Sequence, residues 1–328
     1  MDECSTKVVF QNQVIDSVAN TLITQLLTKS ELNRHNFARN LISGVTVGIV
    51  ALPLAIGFGI TSGMSAQAGV TTAVIAGLIA AIFGGSRFQV SGPTGAMTVV
   101  LIPVIDKYGI SAIPTLGVLA GLIVILMSLL HLGQLINRVP WSVVEGFTLG
   151  IAVVIALQQL PMALGVTKGH GERTLVVAIN TVKNAINSGV AFSTLAILVL
   201  TLAIKFNIVK VIEKLRIKPY VPASFIALAF TTLVTYLFKL NVATIGDIPR
   251  NVFIWSGAKV EFQSSLMVPA FLIAFLVAIE SLLSARVADG MAHAKVHFNP
   301  NKELFGQGLA TSIASLFGGQ PATGAIAR

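Results

Sequence analysis

The residues with chemistry to offer lie in two short stretches and at one carboxylate. The first stretch is Gly84-Gly85-Ser86-Arg87-Phe88-Gln89-Val90-Ser91-Gly92-Pro93-Thr94-Gly95-Ala96-Met97-Thr98. The second is Gly318-Gly319-Gln320-Pro321-Ala322-Thr323-Gly324-Ala325-Ile326-Ala327-Arg328. Both follow an apolar segment ending in Phe-Gly-Gly, at Phe83 and Phe317, break at a proline and restart at Thr-Gly-Ala. A helix starting at such a break presents unpaired N–H donors and about half a positive charge, which suits a small oxyanion. Gly95, Ala96, Gly324 and Ala325 keep that backbone bare, Thr94 and Thr323 add hydroxyl donors, and Arg328 adds a full charge. The carboxylate is Glu280, 14 residues beyond Leu266 in a run with no charge over 268–279. That is about 21 Å along a helix. Ser284 stands one turn on, the polar residue of that face. Two readings stay open for Glu280: a neutral acid hydrogen-bonded to nearby backbone, or a carboxylate serving a coupling ion or substrate. No second deeply buried acid is expected.

The elements positioning these residues follow from the solvent. Hydrophobic residues make up 54% of the 328, charged residues 11%, and mean hydropathy is +0.84, far from a soluble domain. Apolar stretches near 42–60, 113–130, 143–160, 190–204, 221–238 and 266–279 approach the length of about 20 residues that spans a bilayer. The net charge of +9 does not mark a nucleic-acid binder, because the basic residues sit between apolar runs. The single Cys4 excludes an internal disulfide.

Taken in order, residues 1–38 form a cytoplasmic N-terminal arm. Its stretch 8–27 reads equally as an amphipathic helix on the membrane or a loosely ordered tail. The region 39–328 is a membrane transport domain. Its first span, 41–60, carries Pro53 and Phe58, and position alone makes Phe58 a lipid-facing or core residue. A second span covers 66–83. From Pro93 the apolar run to Ile105 is too short to cross, so 88–92 reaches inward as an extended segment. Spans follow at 113–132, 141–160, 190–206, 221–237, 266–288 and 304–317. A polar connection is expected over 165–187, a basic loop around Lys205, Lys210, Lys214, Arg216 and Lys218, and an external loop over 241–263. Glu145 reads as structural near the interface; Arg286, Asp289, His293, Lys295 and His297 read as a solvated cytoplasmic region rather than a metal site. With the N-terminus inside, cytoplasmic positions hold fourteen Lys and Arg against seven outside, as the positive-inside bias requires. In that topology the two Thr-Gly-Ala copies enter from opposite faces, an inverted repeat whose half-helices meet near the midplane.

These residues resemble the sulfate permease (SulP) family of anion transporters. The resemblance runs from about Arg39 and rests on Gly44-Val45-Thr46-Val47-Gly48-Ile49-Val50-Ala51-Leu52-Pro53-Leu54-Ala55, on 91–97, on 280–291 from Glu280-Ser281-Leu282-Leu283-Ser284-Ala285-Arg286, on Glu303-Leu304-Phe305-Gly306-Gln307-Gly308-Leu309-Ala310 and on 318–328. It implies an all-α polytopic membrane protein, two inverted seven-segment repeats divided into core and gate domains, a homodimer and a cytoplasmic STAS domain. It implies too that the chain stops within the tenth membrane segment, after roughly nine and a half segments, without the last segments or the STAS domain. Phe58 matches the aromatic beside the anion, Arg328 the arginine opening segment ten, and Glu280 the carboxylate coupling transport to H+ or Na+ in bacterial members, with Ser284 as a further cation ligand. Ala51 and Leu54 replace the glutamines of animal members, which favours a bacterial-type symporter.

The expected function is secondary active transport of sulfate, bicarbonate or a dicarboxylate across a bacterial inner membrane, by H+ or Na+ symport. The rivals are a nucleobase permease of the same fold and an uncoupled anion channel. No cofactor is expected beyond the coupling ion, no metal beyond Na+ at Glu280 and Ser284, and no enzyme activity, since no Ser/His/Asp set stands at membrane depth.

Overall fold

The computed structural model describes residues 34–171, 174–214, 223–242, 260, 263–293 and 297–326. Residues up to Val47 form one unit, of which the described part is the start of helix α1, and Gly48 onward forms the other. The arm at 8–27, most of the loop at 241–263, and Arg216, Lys218 and Arg328 lie outside the described residues.

The helices are α1 (Arg34–Thr61), α2 (Ala66–Phe83), α3 (Gly95–Tyr108), α4 (Ile113–Leu129), α5 (Trp141–Leu164), α6 (Thr174–Ser188), α7 (Phe192–Lys214), α8 (Ala223–Leu237), α9 (Met267–Met291) and α10 (Pro300–Leu316). Two three-residue strands, β1 (Val90–Gly92) and β2 (Thr323–Ala325), complete the set. Four of the described helices are long and apolar enough to cross a membrane: α1, α2, α4 with the 3-10 turn before it, and α9 with the turn before it.

The tightest packing joins α4 to α10, and small residues make it possible. A Cβ on Gly117 would lie 1.8 Å from Ser315 Oγ, and one on Gly121 would lie 2.0 Å from Ser312 Oγ and 2.5 Å from the Gly308 carbonyl oxygen. Without water to drive them together, membrane helices gain their contact from such close approach. Around this axis Met97, Leu101, Ile113, Leu116, Val124, Ile273, Val277 and Leu304 form the main core, drawn from α3, α4, α9 and α10. A second cluster seats Ile75, Ala76 and Ala80 of α2 against Ala310, Ala314 and Ala322. The helices α5 and α6 pack together, as do α7 and α8, and α5 also touches α7 and α3.

Four expectations need correction. The polar connection at 165–187 contains the helix α6, whose Ala178, Thr181 and Ala185 form a buried face. That stripe is too narrow and too polar to register as a span, yet its helical spacing suffices to dock on α5. The basic loop is also partly helical: Lys205, Lys210 and Lys214 belong to α7, as lysine's good helix propensity and long, apolar stem allow. Similarly, α5 runs through Pro161 to Leu164, and α3 starts at Gly95 rather than Pro93 and runs to Tyr108.

Candidate functional site

The two copies of the broken element meet. β1 and β2 pair antiparallel, with Val90 opposite Ala325, Ser91 opposite Gly324 and Gly92 opposite Thr323. β1 precedes the first Thr-Gly-Ala, which opens α3, whereas β2 is the second Thr-Gly-Ala itself, extended backbone where a helix start was expected; the pairing brings both motifs to one point. A Cβ on Gly324 would lie 2.6 Å from the Gln89 side-chain amide, which would have to shift to admit it.

At this point α3 begins. It has 14 residues, a rise of about 21 Å, and its first residues Gly95, Ala96 and Met97 are buried. A threonine preceding a helix normally accepts a hydrogen bond from the second or third N–H. Thr94 occupies that place in extended backbone, yet its side chain makes no capping bond. Its hydroxyl donates to Glu280 Oε2 instead, at 3.1 Å. The hydroxyl of Thr323 meets the same oxygen at 2.9 Å, with Thr94 Oγ1 3.1 Å away. Three oxygens from three segments thus form a triangle, and the α3 N–H groups receive no side-chain cap.

Glu280 sits on α9, half-buried, and the next residue is also engaged. Ser281 Oγ accepts the Gly324 N–H at 2.9 Å. Sequence reasoning placed Gly324 as an anion donor; in this arrangement its N–H is taken by Ser281. Ser284 was the polar neighbour singled out from helical spacing, but it takes no part in the Glu280 network. The partners of Glu280 are Thr94 and Thr323, supplied from other segments. Ala325 lies in β2 opposite Val90, and Phe58 is brought in as well. A Cβ on Gly95 would meet Phe58 Cε1 at 3.3 Å and Ile155 Cδ1 at 2.4 Å. The structure therefore gathers Phe58, Thr94, Gly95, Ala96, Glu280, Thr323, Gly324 and Ala325. Ser284 lies one helical turn from Glu280 on α9 without a hydrogen bond to it, and Arg328 lies outside the described residues.

The expectation of a single deeply buried acid fails at Glu303. This residue is 1% exposed and accepts four hydrogen bonds. The N–H groups of Gly85 and Ser86 donate to Oε2, each at 2.8 Å. Gln307 Nε2 donates to Oε1 at 2.8 Å, and Gln89 Nε2 donates to the same oxygen. Gln307 Nε2 also reaches Ser91 Oγ at 2.6 Å. The result ties α10 to the turn after α2 and to β1, and so fixes where the two copies cross. Asp289 is buried too, accepting the Phe298 N–H at 2.7 Å, where a solvated position was expected. Backbone N–H groups from a neighbouring segment meet each acid: those of Gly85 and Ser86 at Glu303, and that of Phe298 at Asp289.

Residues 37–328 match the model of the sulfate permease family. A Bacillus subtilis protein, YvdB, provisionally designated a sulfate transporter, is 38% identical over 303 residues, covering 90% of this chain and 56% of the relative. The bicarbonate transporter BicA of a Picosynechococcus species is 31% identical over 316 residues, covering 90% of this chain and 53% of the relative. The solved transmembrane domain of a cyanobacterial BicA superposes with a TM-score of 0.76 at 32% identity, covering 90% of this chain and 76% of that one. The chain spans about half the length of the curated relatives it matches.

Proposed function

The chain belongs to the sulfate permease family, and from that premise we propose that it forms the anion-binding part of a secondary active transporter for a small oxyanion. It is an integral, multi-pass membrane protein; the proposed setting is a bacterial inner membrane with the N-terminus cytoplasmic. The observation that carries the reading is the buried start of α3, where the residue in the capping position gives its hydroxyl to Glu280 and leaves the N–H groups of Gly95, Ala96 and Met97 uncapped. A buried helix end without a cap calls for an anionic partner. Sulfate, bicarbonate or a dicarboxylate satisfies that chemistry, and the sulfate and bicarbonate named for relatives support it. Phe58 provides an apolar flank and Arg328 a balancing charge.

Glu280 supplies the coupling. A carboxylate one hydrogen bond from the Thr94 hydroxyl repels an anion seated at the α3 N-terminus, unless H+ or Na+ neutralises it. Loading of the cation and of the anion then favour each other, and the pair moves as core rocks against gate. The antiparallel crossing of β1 and β2 supports two copies entering from opposite faces, as an inverted repeat requires. No cofactor enters this scheme beyond the coupling ion, and no enzymatic step is part of it. The proposed working assembly is a homodimer.

Uptake of radiolabelled sulfate, bicarbonate and fumarate into liposomes, under separate proton and sodium gradients, tests the reading. One gradient should drive accumulation of one anion, and Glu280→Gln should abolish that accumulation. Accumulation that persists unchanged in Glu280→Gln rejects the coupling role, and steady single-channel currents without accumulation reject active transport.

A further inference from the structure

The flank of the α3 N-terminus is closed by a residue from a helix outside the β1–β2 crossing. At Gly95 the place of a side chain is filled: besides Ile155 Cδ1 at 2.4 Å, Ile155 Cγ1 would lie 3.0 Å from a Cβ there, with Phe58 Cε1 at 3.3 Å. Phe58 belongs to α1 and Ile155 to α5. The hydroxyls and the carboxylate at the site come from the residue before α3, from α9 and from β2. Ile155 is carried by the helix that packs with α6 and α7, so it brings a second group of helices onto a site that the first group builds.

We propose that Ile155 is the size-setting wall of the anion site. Ile155 and Phe58 cover the flank of the helix start and bound the space left for an anion there. This rests on reading the α3 N-terminus as the anion site. The chemistry suits the task. A β-branched side chain is stiff at its first torsion and gives a defined boundary. A dry apolar wall strengthens the attraction between the N–H groups and an oxyanion. Such a wall discriminates by size, at about tenfold or more for each methylene-sized misfit. The absence of a side chain at position 95 is what lets Ile155 reach the backbone.

Cys4 is the only cysteine, so a Cys4→Ser chain gives a clean background for the test. Ile155→Cys, Phe58→Cys and Ala156→Cys are each made in the full chain, and their reaction with methyl methanethiosulfonate is timed in liposomes while sulfate or bicarbonate is raised. At ten times the half-protecting concentration, the rates at 155 and 58 should fall about tenfold, following the unoccupied fraction. The rate at 156, exposed on another face of α5, should not change. Protection at 58 without protection at 155 overturns the proposal alone; protection at neither overturns the anion site and the proposal with it. A steric pair gives a second reading, with Phe58→Cys as reporter. Gly95→Ala should abolish anion protection there, and adding Ile155→Ala should restore it by making room. Failure of the second change to restore protection overturns the wall.

Discussion

Replacing Glu303 separates two ways in which a buried carboxylate holds a membrane fold. Glu303→Ala removes an acceptor of four bonds and leaves the N–H groups of Gly85 and Ser86 and the amide of Gln89 without their partner, while Gln307 keeps its bond to Ser91. Each orphaned donor costs about 1–3 kcal/mol when buried. Gly85 and Ser86 are only half-buried and regain part of this from water, so the expected loss is roughly 3–5 kcal/mol. Glu303→Gln should behave differently. Its carbonyl oxygen can keep the two backbone N–H groups, turning its own NH2 toward Gln89 and Gln307. Both glutamines hold an unpartnered buried Oε1, so rotating either amide presents an acceptor to the new donor. The expected loss is about 1–2 kcal/mol, the difference between charge-assisted and neutral bonds. Unfolding of the solubilised chain by added SDS, followed by circular dichroism, measures both. Equal losses in the two variants would refute the amide-rotation argument, and a negligible loss in Glu303→Ala would refute the clamp itself.

Further outcomes follow from the same contacts. Gly69→Ala would place a Cβ 1.9 Å from the Ala55 carbonyl oxygen between α1 and α2 and should destabilise by about 1–3 kcal/mol or more. Gly48→Ala meets nothing within 4 Å and should stabilise by up to about 1 kcal/mol through helix propensity; the same SDS titration ranks the two. Ser281→Ala leaves the buried Gly324 N–H without its acceptor and should cost about 1–3 kcal/mol, with faster amide hydrogen exchange at Gly324 as the specific sign. Ser62 Oγ donates to Gln320 Oε1 at 2.7 Å, and Gln320 Nε2 already lacks a partner. Ser62→Ala should therefore cost about 1–3 kcal/mol, much of it recovered in the double variant with Gln320→Leu, because removing both polar groups leaves nothing unsatisfied.

Much of the frame was legible because lipid makes hydropathy nearly sufficient. The bounds of α2 at 66–83 and the short run after Pro93 follow from apolar length and from where glycine and proline interrupt it. Contacts between segments were less legible. Helical spacing offered Ser284 as the companion of Glu280, whereas its partners Thr94 and Thr323 lie 186 and 43 residues away in the chain. Ser281 escaped notice because adjacent helical residues do not share a face, yet its bond is to Gly324, not to Glu280. Glu303 follows Lys302 at the edge of an apolar run, which reads as an interface. Its burial depends on Gly84 and Gly85 approaching α10: a Cβ on Gly85 would lie 2.2 Å from the Asn299 carbonyl oxygen. The glycines were visible as breaks, but their role in that approach was not.

Thr94 links these observations to transport. A hydroxyl has one proton to give, and here it goes to Glu280, while the same side chain makes no capping bond to α3. The same residue thus satisfies the carboxylate and leaves the helix start open. An anion at that start would lie near Glu280, and about 6 Å serves as a reference separation between the two charges. At an effective dielectric constant of about 20, the repulsion between two unit charges at that separation is about 3 kcal/mol, roughly a hundredfold in affinity. Neutralising Glu280 removes the term, and by linkage a bound anion must raise the cation's affinity by the same factor. In the proposed symport the shared threonine would supply the physical basis: it holds a removable negative charge beside the start of α3, where the proposed anion would bind.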